Sequence, residues 1–125
     1  MMIQDYIFEQ WTPEKNCWWL VRDYYFKYKE TSIPEYYEGL PTHFEKVRQI
    51  KNGLENDWIE NTNKDESCLV AMGRTETIVH VGIWLPGEKK ILHLNEGMNC
   101  RVETYSQIKK LFPIIKFYKY ARANR

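Results

Sequence analysis

Hydrophobic and polar positions divide the chain into an early part with helical spacing and a later part that alternates. Ile3, Tyr6, Ile7 and Trp11 recur at intervals that predict a short amphipathic helix over residues 3–11. A polar connector, Thr12-Pro13-Glu14-Lys15-Asn16, follows. From Asn16 to Lys29 there is no Gly or Pro, and Cys17, Leu20, Val21, Tyr24 and Tyr28 form one stripe, which predicts a helix with Cys17 on its core-facing side. Two starts compete for this helix. Asn16 is a good N-cap and would put Cys17 in the first turn, whereas Thr12 with Pro13 at the first helical position would bury it a turn deeper. Thr31 to Pro41 holds two prolines and Gly39 and predicts a loop. Thr42-His43-Phe44-Glu45 has the form of a capping box, and Phe44, Val47, Ile50 and Leu54 continue it as a helix that frays near Gly53.

Beyond Asn56 the period changes. Trp58 and Ile59 predict a short edge strand in a polar stretch, and Cys68 to Met72 is an apolar run closed by Gly73, the pattern of a buried strand. Thr77 to Leu85 is rich in β-branched and aromatic residues, Pro86-Gly87 marks a turn, and apolar residues resume at Ile91. Thr104 to Leu111 predicts a short helix ended by Pro113, and Ile114 to Tyr120 a last strand. Helices first and a mainly antiparallel sheet afterwards is the α+β order. At 125 residues the chain is expected to form one domain, 1–125, that buries its own core without cross-links.

The hairpin carries the first candidate chemistry. Side chains alternate across a sheet, so a short turn pairing Leu85 with Lys90 turns His80 and His93 to the same side, roughly 5–8 Å apart. The third histidine, His43, opens a helix and has no such neighbour in the pattern. Net charge is +1, which gives no electrostatic footprint for nucleic acid; the basic and aromatic tail from Lys116 to Arg125 is the one feature that points that way. No run of about 18 apolar residues occurs, so no membrane-spanning helix is expected. Met1-Met2-Ile3-Gln4-Asp5 lacks the basic and apolar regions of a secretory signal. Three cysteines cannot all pair, and without a Cys-x-x-Cys a disulfide framework or structural zinc site is not expected.

Cys17 on an early helix and His80 on a later strand have the chain order of a cysteine nucleophile and its base. The surrounding words resemble a family. Asn16-Cys17-Trp18-Trp19-Leu20-Val21-Arg22 resembles the Asp-Cys-Ser/Trp-Gly-Leu-Val-Arg motif of the NlpC-type cell-wall peptidases, above all their small phage tail members. His80-Val81-Gly82-Ile83-Trp84-Leu85 is similar to their His-Val-Gly-Ile-Tyr-Leu strand, Ile91-Leu92-His93 to the strand bearing their second histidine, and Ile115 to Tyr120 to their last strand. The resemblance runs from about Asp5 to Tyr120.

It implies a papain-like α+β fold with a Cys-His-His triad: Cys17 as nucleophile, His80 as base, His93 fixing the tautomer of His80, and Tyr6 with the Cys17 backbone N–H holding the oxyanion. The implied reaction is hydrolysis of an amide in the peptidoglycan stem peptide after γ-D-glutamate, through a thioester and with no metal or cofactor. The implied setting is a phage virion, at the tail tip among other tail proteins, with the chain made in the host cytoplasm. The sequence departs from the family at Asn16, Trp18 and Trp19, where an acid and small residues are usual. The rival expectation is therefore a tail assembly protein of the same fold with little or no hydrolysis. From the residues alone, Cys17 also fits a buried inert thiol, Tyr6 a core position, and Asn95 a second orienting group for the imidazoles.

Overall fold

The structure, a computed structural model, describes residues 3–36, 42–61 and 63–121. The predicted loop at 31–41 lies partly outside them, as does the end of the basic tail. α1 (Cys17–Lys29) begins at Asn16, whose side chain accepts from the Trp19 backbone N–H at 2.9 Å. Thr12 instead accepts from the backbone N–H of Lys15 at 2.9 Å in a turn of the connector, so the competing helix start is not used. α2 (His43–Asp57) opens with the full Thr42–Glu45 capping box and continues through Gly53. The helix predicted over 3–11 is not formed: only Ile3–Asp5 makes a 3-10 turn, and Gln10 forms an isolated bridge with Asn99. The Trp11 N–H donates to the Met98 carbonyl and the Glu9 carbonyl accepts from the Cys100 N–H, which ties this segment to residues 98–100, whereas a helix would have used the Trp11 N–H internally.

Six strands form one antiparallel sheet: β1 (Trp58–Glu60), β2 (Cys68–Gly73), β3 (Ile78–Leu85), β4 (Lys90–His93), β5 (Arg101–Thr104) and β6 (Ile114–Tyr120), in the spatial order β1-β6-β2-β3-β4-β5. The last strand inserts between β1 and β2, so the chain must cross the sheet after β5. It does so through α3 (Tyr105–Leu111), capped by Thr104.

Two cores result, one on each face. Leu69, Ala71, Val81, Ile83, Leu85, Leu92 and Leu94 pack against Leu20, Val21, Tyr24 and Tyr25 of α1 and Ile50 and Leu54 of α2. The alternate residues Cys68, Val70, Met72, Trp84, Ile91 and Phe117 pack against Ile108 and Phe112 from the α3 region. The period-2 alternation of strands buried on both sides sends successive residues to different partners.

Candidate functional site: a buried histidine pair

The hairpin register brings the two imidazoles together. Leu85 pairs with Lys90 and Gly82 with His93, which leaves His80 diagonal to His93 on the same face. Nε2 of His80 lies 3.0 Å from Nδ1 of His93, and the rings meet edge to face with centroids 5.2 Å apart. Gly82 makes room for this. A Cβ there would sit 2.6 Å from the Leu92 carbonyl oxygen and 3.0 Å from the His93 Cβ, so any side chain at 82 would push His93 aside. Phe112 stacks on the outer side of His80 at 5.7 Å between centroids. Behind His93 stands Glu103, delivered by the pairing of Ile91 with Glu103, with its Oε1 3.5 Å from His93 Nε2. Arg101 approaches the same carboxylate at 3.9 Å.

Both rings are almost wholly buried, at 2% and 3% exposure. Loss of water holds the pKa of His80 well below its ordinary value, and the neighbouring His93 and Lys46 push in the same direction. Burial lowers His93 too, with Glu103 opposing it. The pair is therefore neutral at pH 7. A carboxylate beside Nε2 favours the His93 tautomer protonated there, so its Nδ1 accepts from the Nε2–H of His80, and Nδ1 of His80 keeps a lone pair. That last nitrogen has no hydrogen-bond partner among the described residues.

Cys17 is on the other side of the sheet. It belongs to the core between α1 and the sheet, together with Leu20, Val21, Val81 and Leu92. His80 shares its face with its paired residue Met72, and His93 with Ile91, both in the core under Phe112. Two of the four imidazole nitrogens bond each other, and among the described residues the other two have no hydrogen-bond partner. The structure brings together His80 and His93, expected as base and orienter, and packs Cys17 in the core on the other face. Tyr6, the expected oxyanion donor, is fully buried and gives its hydroxyl hydrogen to Asp23 Oδ2 at 2.8 Å. Burial and that carboxylate raise its pKa, which keeps the proton on the phenol. Asn95 follows β4 and caps its own loop by accepting from the Glu96 N–H at 3.0 Å, with no bond to either ring.

Sequence reasoning missed Glu103 and Phe112. The alternation in Arg101-Val102-Glu103-Thr104 is the signal that marks a fifth strand and brings a carboxylate beside His93. Nothing local marks Phe112. Among the described residues, no cluster of His, Cys, Asp and Glu is arranged to hold a metal, and no helix is long and apolar enough to cross a membrane. Comparison with protein-family models, curated proteins and solved structures yields no match.

Proposed function

We propose that this chain is a component of a phage tail, acting at the tail tip or in its assembly, with an NlpC-like fold and little or no hydrolytic activity. The residue words around Cys17, His80 and His93 support the family reading. The observation that carries the weak-hydrolysis reading is the separation of Cys17 from both imidazoles by the sheet. A thiol buried in an apolar core is ordinarily inert, and the base offered here lies on the other face of the sheet. Virions carrying Cys17→Ala are expected to assemble like wild type and to release no fewer muropeptides, whereas loss of the whole chain stops tail assembly. Intact assembly with muropeptide release lost in Cys17→Ala would overturn this reading.

One observation favours a second reading, hydrolysis of the stem-peptide amide after γ-D-glutamate. Cys17 is the first residue of α1, and the His80–His93 pair backed by Glu103 has the makings of a base and its orienter. Catalysis would then require a rearrangement that brings the sulfur round to an imidazole nitrogen. The same muropeptide assay decides between the two.

A further inference from the structure

His80, stacked on Phe112, forms part of the wall of an open cavity of about 550 Å³. The cavity lies where the start of α2 meets the β2–β3 connection. Lys46 from α2 and Arg74 from the connection supply two fixed positive charges, and His43 adds an imidazole. Thr75, Thr77 and Asn95 supply hydroxyls and an amide. Among the described residues lining it, none is acidic. Val79 and Phe112 close one side with apolar surface.

We propose that this cavity binds a phosphate group carried on a small organic molecule. Lys46 and Arg74 match the charge of the phosphate, Thr75, Thr77 and Asn95 its oxygens, and the apolar wall its organic part. Two fixed cations with no acid among the described lining residues suit a phosphate that is mostly dianionic at neutral pH, its second pKa lying near 6, better than a singly charged carboxylate. The site lies at the end of the sheet, between the start of α2 and the β2–β3 connection, and does not depend on the tail assignment.

Titration of the full chain with inorganic phosphate, followed through the imidazole signals of His80, tests the proposal. Saturable shifts are expected, with binding weakened about tenfold by Lys46→Ala and again by Arg74→Ala, the scale of one charge-assisted contact. Lys51→Ala, which removes a charge from α2 outside this cavity, is expected to leave the titration unchanged. Both cavity substitutions fall at exposed or half-buried positions, so the fold is kept. Superimposed titrations for wild type and the two cavity variants, or shifts that do not saturate at tens of millimolar phosphate, would overturn the site. Acetate binding as tightly as phosphate would overturn the phosphate assignment.

Discussion

His80 and His93 are two buried rings that exchange one hydrogen bond and together hold no net charge at pH 7. Their lowered folded-state pKa values make stability depend on pH in one direction. The unfolded chain takes up protons on both rings below about pH 6.5 while the folded chain resists, so stability is complete above that pH and falls as pH drops below it. Denaturant midpoints measured downward from neutral pH are expected to show a slope of up to about 1.4 kcal/mol per pH unit for each ring. His80→Gln, which cannot ionise, should flatten it, and an unchanged slope would place the acid sensitivity elsewhere. Gly82→Ala is a second check at this scale. The added methyl meets backbone oxygen as well as His93, so a loss of about 1–3 kcal/mol is expected, with the His80–His93 bond broken in the variant's imidazole spectra. Tyr6→Phe leaves Asp23 with Lys27 at 3.0 Å as its remaining partner and is expected to cost about 1 kcal/mol in thermal or chemical unfolding.

At the scale of elements, helix starts were legible because caps are local. Asn16, buried and bonded to Trp19, won over Thr12-Pro13, and Asn16→Ala is expected to cost about 1 kcal/mol of stability in an unfolding titration. The Thr42 cap and the Leu85–Lys90 turn were readable for the same reason, and the turn alone put both imidazoles on one face. The segment 3–11 was misread. Its apolar spacing is helical, but Tyr6 reaches the core from the turn that follows Ile3–Asp5, while Gln10 pairs with Asn99, a partner remote in sequence. β5 escaped notice because four residues of alternation are short, and Glu103 was missed with it. The face of the sheet chosen by α1 is not a local property. The stripe through Cys17 says that the thiol is buried, and the alternation through His80 says which residues it accompanies. Neither pattern says whether stripe and imidazoles meet.

For the molecule as a whole, the crossover after β5 settles that question. It carries α3 and Phe112 over the face bearing His80 and His93, while α1 and α2 occupy the other, and the sheet lies between the sulfur and the rings. Cys17, Cys68 and Cys100 are all nearly inaccessible, at 2%, 3% and 3% exposure. Burial pushes the thiols of Cys68 and Cys100 up to about 11 and about 12. The most direct measurement is the rate at which iodoacetamide alkylates each cysteine of the native protein between about pH 6 and 8. Cys17 should react no faster than Cys68 and Cys100, at a rate set by unfolding. Rapid labelling of Cys17 alone near the acid end of that range, abolished by His80→Gln, would mean that sulfur and imidazole do meet in solution and would contradict the account.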